Sequence, residues 1–181
     1  MDSLATRYAS GLLKVAQGEN DIASYKNGLI QLDRLFEDDA EVRAFLQSTF
    51  VLKEDKEALL DRLIEGAPML QNFLKLLVAK KRFIYFHPIK KEFVRLANEA
   101  LGIKEGTVYS SIPINGAQLE AMEATLTKKI GVPVELHNEI DKTLLGGFKI
   151  IVQGQVYDYT LNDKLEKLGQ RMLERGDHRA H

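Results

Sequence analysis

The feature that most constrains the fold is a change in the spacing of apolar residues near residue 104. Before this point apolar residues recur every three or four positions, which is the period of an amphipathic helix. After it, Thr107–Ile114 alternates, with Val108, Ser110, Ile112 and Ile114 on one face, which is the period of a strand. The sequence therefore predicts an α+β protein with a helical part followed by a smaller part that contains a sheet.

Residues 1–104 are predicted to form a six-helix bundle with short connections. Ser3 is placed to cap the first helix, Asn20 or Asp21 to open the second, and Pro68 to lie in the first turn of the fifth. The fifth helix is expected over Met69–Lys81, after a cap at Gly66, and the sixth from His87-Pro88 to Gly102. The core residues expected from helical spacing are Leu4, Tyr8, Leu12, Val15, Ile22, Tyr25, Leu29, Leu32, Phe36, Val42, Phe45, Leu46, Leu59, Leu60, Leu63, Ile64, Ile89, Phe93, Leu96 and Leu101.

Residues 105–176 are predicted to form a β-α-β-β-β-α domain, followed by a flexible tail at 177–181. Asn115 and Gln118 have the spacing of a capping box, and Gly131 is placed to end the helix that they begin. Gly154 is expected in the tight turn between the last two strands. Further strand and helix positions are Val132, Val134, Leu136, Phe148, Ile150, Val152 and Val156, and then Thr160 and Asp163 as a second capping signal.

Composition narrows the class of protein. The 181 residues include no cysteine, which excludes a disulfide framework and cysteine-ligated zinc. There are 25 Lys and Arg against 26 Asp and Glu, whereas nucleic-acid-binding proteins are usually clearly basic. The N-terminus lacks the pattern of a signal peptide, and no apolar run approaches the length of a membrane span. We therefore expect no direct membrane insertion.

One basic segment leaves an alternative open. Lys80–His87 interleaves cations with aromatic residues, and Lys90, Lys91 and Arg95 follow. Such a patch could bind single-stranded nucleic acid through charge and stacking. The interpretation that we favour is a solvated helix end, in which the aromatic side chains turn inward and the cations interact with the helix dipole.

Other polar residues give weak indications of chemistry. His137 lies near Glu135, Glu139 and Asp141, but these positions can simply form the solvent face of a strand. Asp141 and Asp158 could be paired carboxylates, although hydrogen bonds to nearby amides are the expected role. Gly146-Gly147 runs into a strand, so a bulge or close backbone approach is favoured over a phosphate loop. We expect no catalytic, metal or cofactor site.

Two helices have more apolar surface than a single core requires. The first carries the stripe Leu4-Tyr8-Leu12-Val15 and a second stripe of small or apolar residues, with Gly11 between them. The fifth is apolar nearly all round. Either both helices are central in the bundle, or they form a groove for another amphipathic helix. Pattern alone does not choose between these two possibilities.

A family resemblance emerges from the order of several short motifs. They are Arg7-Tyr8-Ala9, Asn72-Phe73-Leu74-x-Leu76-Leu77, Arg82-Phe83, Ile140-Asp141-Lys142, Leu145-Gly146-Gly147 and Val156-x-Asp158. In this order and in a chain of this length, the sequence resembles the delta subunits of bacterial F-type ATP synthase, the counterparts of the mitochondrial oligomycin-sensitivity-conferring protein. The start Asn115-Gly116-Ala117-Gln118 departs from the Thr-capped helix that is more frequent in that family.

The resemblance implies a non-catalytic stator subunit that resists torque during proton-driven ATP synthesis, at the cytoplasmic face of the bacterial inner membrane. It implies that the helical domain binds the N-terminal helix of an ATP synthase alpha subunit between the first and fifth helices. The contacts carried over are Tyr8, Gly11, Leu12, Val15, Leu76 and Lys80. The second domain is implied to bind the C-terminal ends of the b subunits, with the candidate contacts Leu161, Leu165, Leu168 and Met172.

Overall fold

The computed structural model describes residues 3–64 and 67–161. Contacts divide the chain into two compact units, Met1–Leu101 and Gly102–His181. The described residues form seven α-helices, a short 3₁₀ helix and a four-stranded mixed sheet. The α+β class predicted from the sequence is therefore confirmed.

The first unit contains six of the α-helices. They are α1 (Leu4–Gly18), α2 (Ile22–Asp38), α3 (Ala40–Gln47), α4 (Lys53–Leu63), α5 (Pro68–Ala79) and α6 (Phe86–Leu101), with the 3₁₀ helix at Phe83–Tyr85. The expectation that the sixth helix starts after His87-Pro88 was wrong, because α6 already begins at Phe86. Pro88 is tolerated there because the first turn of a helix leaves its amide groups without intrahelical acceptors.

Side-chain caps fix where several of these helices begin. The Ser3 side chain accepts a hydrogen bond from the backbone amide of Thr6. The Asp21 side chain accepts one from the backbone amide of Ser24, so Asp21 is the residue that caps the start of α2. Asn20 has the opposite role: it adopts a left-handed conformation with φ of 55° and closes α1. The backbone amide of the next residue, Asp21, then bonds to the carbonyl of Ala16 at 3.0 Å. This is a Schellman-type ending, in which asparagine is a favourable residue.

The helix α6 occupies the centre of the first unit, because both α1 and α2 pack closely against it while α4 packs against α5. Ile89, Phe93 and Ala97 of α6 are fully buried. A buried polar contact accompanies them, since the ammonium group of Lys26 on α2 donates to the amide oxygen of Asn98 at 2.6 Å. A satisfied polar contact of this kind fixes the relative position of two helices within an otherwise apolar core.

The second unit is built on a βαβ arrangement in which the two parallel strands are direct neighbours. Its elements are β1 (Lys104–Ser110), α7 (Gly116–Ile130), β2 (Val134–Ile140), β3 (Phe148–Val152) and β4 (Gln155–Asp158), in the sheet order β2-β1-β3-β4. β1 is parallel to β2 and antiparallel to β3, so α7 forms the crossover between the parallel strands. The predicted capping box at Asn115 and Gln118 and the left-handed Gly131 are confirmed.

The first strand differs from its predicted extent. β1 ends at Ser110, and Ile112 is strongly exposed instead of continuing the buried face. The Ser110 hydroxyl group donates to the Ile112 carbonyl at 2.7 Å, which replaces a ladder hydrogen bond with a local turn. The helix predicted to begin near Thr160 is described only at its first residue, Leu161, and the rest of it lies outside the described residues, as does the predicted cap at Gly66.

The pair Gly146-Gly147 is a site of close backbone approach, as the sequence predicts. Gly147 has φ of 80°, and a Cβ atom placed on it would lie 2.3 Å from the carbonyl oxygen of Tyr159. Gly154 has the same φ of 80° but has no neighbour within 4 Å of such an atom. Replacing each glycine by alanine therefore distinguishes two effects: at Gly154 only the left-handed backbone is unfavourable, whereas at Gly147 a steric clash is added.

We predict that Gly147→Ala lowers the free energy of unfolding of the second unit by at least about 3 kcal/mol, because strain and clash add. Gly154→Ala should cost only about 1–2 kcal/mol, the usual cost of a left-handed alanine. The measurement is urea unfolding followed by the amide NMR signals of Ile150 and Val152. Equal losses in the two variants would contradict the close approach at Gly147.

A second prediction concerns Tyr25, which is buried on α2. Burial and the hydrogen bond from its hydroxyl group to Glu19, at 2.6 Å, raise the pKa of Tyr25 to about 12 from 10.0. Between these two pH values the unfolded chain ionises at this tyrosine and the folded chain does not. The free energy of unfolding therefore falls by up to about 1.4 kcal/mol per pH unit in that window.

Tyr25→Phe removes this contribution, so the stability advantage of the unsubstituted protein over the variant should shrink as the pH rises from about 10 to about 12. Urea unfolding of both proteins at several pH values measures the difference, in which all other titrating groups cancel. Parallel stability curves for the two proteins would show that the pKa of Tyr25 is not raised.

Candidate functional site: a groove between α1 and α5

An open apolar groove of about 480 Å³ lies between α1 and α5 in the first unit. It is lined by Arg7, Tyr8, Gly11, Leu12, Val15, Met69, Asn72, Phe73, Leu76 and Arg82. The α1 members recur at helical spacing, and so do the α5 members, so each helix contributes one continuous face. The groove is therefore a property of two helix faces and not of a flexible loop.

The floor and the rim of the groove have different character. Leu12 and Phe73 are buried and belong to the core, whereas Leu76 is 45% exposed. At Gly11 the groove-facing side of α1 has no side chain, and a Cβ atom added there would meet nothing within 4 Å, so the space beside it is open. The buried apolar floor, the exposed Leu76 and the open space beside Gly11 together form a surface that can bind the apolar face of another helix.

Three side chains connect the two walls. The Arg82 guanidinium group donates to the Tyr8 hydroxyl oxygen at 2.8 Å and also lies 5.6 Å from the centre of the Tyr8 ring. The Tyr8 ring meets the Phe73 ring edge to face, with centroids 6.4 Å apart. These contacts hold α1 at a defined distance from α5 at one end of the groove.

The ending of α5 directs Arg82 toward Tyr8. Lys80 is the C-cap, and Lys81 adopts a left-handed conformation with φ of 55°. The amide of Arg82 then bonds to the carbonyl of Leu77 at 2.7 Å, and that of Lys81 to the carbonyl of Val78 at 2.9 Å. This is the Schellman pattern, with lysine at the position that glycine usually occupies.

The structure thus brings together five of the six groove residues named from the sequence, which are Tyr8, Gly11, Leu12, Val15 and Leu76. Lys80 is not among the residues that line the groove, because the reversal at Lys81 turns the chain away after the C-cap and places Arg82 there instead. Sequence reasoning also missed Met69 and Asn72, although their spacing from Leu76 on α5 was a usable signal. The binding role of all these residues stays a prediction.

We predict that Lys81→Gly raises the free energy of unfolding by about 0.5–1 kcal/mol, because glycine adopts the left-handed conformation without strain. Ala79→Gly, two residues earlier in the helical conformation, should lower it by up to about 1 kcal/mol. Thermal unfolding of both variants tests the helix ending, and a loss of stability in both would contradict it.

The basic segment after α5 does not form a free nucleic-acid-binding patch. Phe83 and Phe86 are buried in a ring cluster with Phe36, with centroids 5.2–5.8 Å apart. Lys90 lies 2.6 Å from Asp33, and Arg95 is paired with Glu92 and Glu99. Two of the cations that follow the buried rings, Lys90 and Arg95, are thus paired with acids of the first unit, which favours the helix-end interpretation, although Tyr85 of the same segment is exposed.

One group of possible metal ligands, Asp33, Glu37 and His87, occurs among the described residues. The Asp33 carboxylate already accepts from the Lys90 ammonium group at 2.6 Å and lies 3.0 Å from Nδ1 of His87. A lysine at this distance neutralises the carboxylate that a cation would need. The group is therefore an ion-pair network that joins α2 to α6.

The two candidate carboxylates of the second unit have structural roles. Asp141 accepts the amide and the hydroxyl group of Thr143 at 2.9 and 2.6 Å, and these hydrogen bonds hold the pKa of Asp141 below its usual value. Asp158 accepts the amide and the hydroxyl group of Thr160 at 2.9 and 2.7 Å. Both are turns of the Asx type. His137 is exposed on β2.

The residues predicted to bind b subunits are only partly within the described part of the chain. Leu161 is exposed, and its amide bonds to the carbonyl of Gly146 at 3.0 Å, which ties Leu161 to the segment before β3. Leu165, Leu168 and Met172 lie outside the described residues. Within residues 3–64 and 67–161, no helix has the length and apolar character needed to span a membrane.

Comparison with known proteins agrees with the motifs. The family model described as ATP synthase delta (OSCP) subunit matches residues 4–172. A protein named ATP synthase subunit delta from Acetivibrio thermocellus is 32% identical over 180 residues, covering 97% of this chain and 100% of the relative. Another of that name, from Oceanobacillus iheyensis, is 30% identical over 172 residues, covering 94% and 95% of the two chains.

A structural comparison supports the same fold. A chain of the Toxoplasma gondii mitochondrial ATP synthase hexamer, solved by cryo-electron microscopy, superimposes with a TM-score of 0.64 at 21% identity, covering 95% of this chain and 98% of that one. At this identity the likeness establishes the fold alone. From the sequence matches, the chain belongs to the family of ATP synthase delta (OSCP) subunits, which are non-catalytic subunits of the ATP synthase complex.

Proposed function

We propose that this protein is the stator subunit that links the catalytic head of an F-type ATP synthase to its peripheral stalk. The helical domain expected over residues 1–104 binds the N-terminal helix of an alpha subunit. The domain expected over residues 105–176 binds the C-terminal ends of the b subunits. The observation that carries the proposal is the apolar groove between α1 and α5, in a chain whose family is that of ATP synthase delta subunits.

The groove suits a helix better than a small molecule. It is open to solvent, and most of the residues that line it are apolar. Its polar lining residues are Arg7 on α1, Asn72 on α5 and Arg82 just after α5. A partner helix can bury its apolar face on Leu12, Phe73 and Leu76. A few such residues usually supply most of the affinity of a protein interface.

A stator has to resist torque without slipping, and the fold suits that task. The contacts between Arg82, Tyr8 and Phe73 brace the walls of the groove, so a bound helix meets a preorganised surface. Preorganisation improves affinity because less conformational freedom is lost on binding. The subunit would act peripherally, at the cytoplasmic face of a bacterial plasma membrane, and would be held there by its partners.

The contact with the b subunits is proposed for the last helix, with Leu161 at its described start and Leu165, Leu168 and Met172 further along. Support comes from the hydrogen bond of the Leu161 amide to the Gly146 carbonyl, which attaches Leu161 to the segment that leads into β3. Load on the helix would then pass into the hairpin of β3 and β4.

We predict that Leu76→Asp weakens binding of an alpha-subunit N-terminal peptide at least tenfold, or about 1.4 kcal/mol, because it places a charge in the apolar groove. Leu35→Asp is the matched control: Leu35 is 36% exposed on α2 and does not line the groove. Isothermal titration calorimetry with the full chain measures both. Unchanged affinity for Leu76→Asp would remove Leu76 from the binding surface.

A second pair of variants tests the groove by filling it. Gly11→Leu should weaken the same peptide at least tenfold while leaving the thermal stability unchanged or higher, because Gly11 is open to solvent and helical. Gly18→Leu, at the end of α1 and equally unobstructed, should bind normally. Equal affinities of the two variants would contradict helix binding between α1 and α5.

A further inference from the structure

A second cavity of the first unit lies away from the groove and has a different chemistry. Its volume is about 430 Å³, and it is bounded by the end of α3, the segment that follows it, the start of α4 and the end of α5. On α5 it is lined by Val78 and Ala79, whereas the groove is lined by Met69, Asn72, Phe73 and Leu76. Leu76 and Val78 are two positions apart and therefore face different sides of that helix.

The charged residues lining this cavity are all lysines: Lys53, Lys56 and Lys81. Lys53 is exposed and is offset by Glu57 at 3.4 Å. Lys56 is buried, and among the described residues the acceptor for its ammonium group is the backbone carbonyl of Ser48. Burial, together with the charge of Lys81, lowers the pKa of Lys56.

A buried ammonium group beside a second cation is electrostatically unfavourable unless an anion approaches it. An ammonium group has three donors, and the Ser48 carbonyl uses one of them. The remaining donors of Lys56 are thus available to an oxygen anion that enters the cavity between Lys56 and Lys81.

Apolar side chains also line the cavity. Ile84 is 64% exposed and lies among the lining residues together with Val51. A free inorganic anion makes no favourable contact with these apolar side chains, whereas the apolar residues of a peptide can pack on them and exclude water.

We propose that this cavity binds an acidic segment of a partner protein, with one carboxylate seated between Lys56 and Lys81 and the flanking apolar residues packed on Val51 and Ile84. The occupant is thus an Asp or Glu side chain between apolar neighbours. The surface is separate from the α1–α5 groove and does not depend on the function proposed for that groove.

The test uses the full-length protein with its lysines observed by NMR through their side-chain methylene signals. The probe is the peptide acetyl-Leu-Glu-Phe-amide, and its controls are the Gln analogue and inorganic phosphate. The acidic peptide should shift the signals of Lys56, Lys81 and Ile84 in a saturable way and raise the pKa of Lys56. The Gln analogue should bind at least tenfold more weakly.

Three variants complete the experiment. Lys56→Met and Ile84→Ser should each weaken the acidic peptide at least fivefold, whereas Lys75→Met, at a lysine of α5 that pairs with Asp61, should not. If Lys56→Met fails to fold, Lys81→Met replaces it, because Lys81 is exposed.

Two results would overturn the proposal. The first is the absence of any saturable shift with the acidic peptide. The second is phosphate binding as tightly as the peptide with no effect of Ile84→Ser on the peptide, which would mean that the cavity takes small anions only.

Discussion

The groove depends on one contact between side chains, that of Arg82 with Tyr8. Arg82 follows α5 and Tyr8 belongs to α1, so the hydrogen bond and the ring contact between them join helices whose backbones pack mainly against other partners. α1 rests on α6, and α5 rests on α4. The helices α1 and α5 do not pack closely against each other, and side chains at one end connect them. The space between the two helices therefore stays open. The unusual left-handed Lys81 is the local condition for this arrangement, since it directs Arg82 back toward α1.

Local sequence signals predicted most of the fold. Ser3, the capping box at Asn115 and the glycine at 131 fixed helix ends through short-range hydrogen bonds, which spacing alone reveals. The errors occurred where tertiary or local hydrogen bonds overrode a pattern. The apolar alternation continued through Ile112 and Ile114, but Ser110 bonded to the Ile112 carbonyl and ended the strand. Pro88 resembled a helix start, yet α6 begins two residues earlier.

The groove could be predicted only in part. The double apolar character of the first and fifth helices suggested either a central position or a binding surface, and the choice required knowing which helices pack on which. Arg82 was not identified as a groove residue because a left-handed lysine has no sequence signature comparable to that of glycine. Lys80 was named because the family resemblance carried it over by its position on the fifth helix, and the structure does not place it in the groove lining. The lysine cavity could not be predicted from the sequence, because it forms where Lys53 and Lys56 of α4 meet Lys81, which lies 25 or more residues further along the chain and follows α5.

The central claim is that the face shared by α1 and α5 binds a helix of the alpha subunit. The most direct measurement is amide and methyl chemical-shift mapping of the full-length protein during titration with the alpha-subunit N-terminal peptide. The account predicts saturable shifts concentrated on Gly11, Val15, Met69, Asn72 and Leu76, with the side-chain signal of Arg82 also affected. Shifts concentrated on the second unit or on the α3–α4 side of the first unit, with the groove residues unchanged, would contradict it.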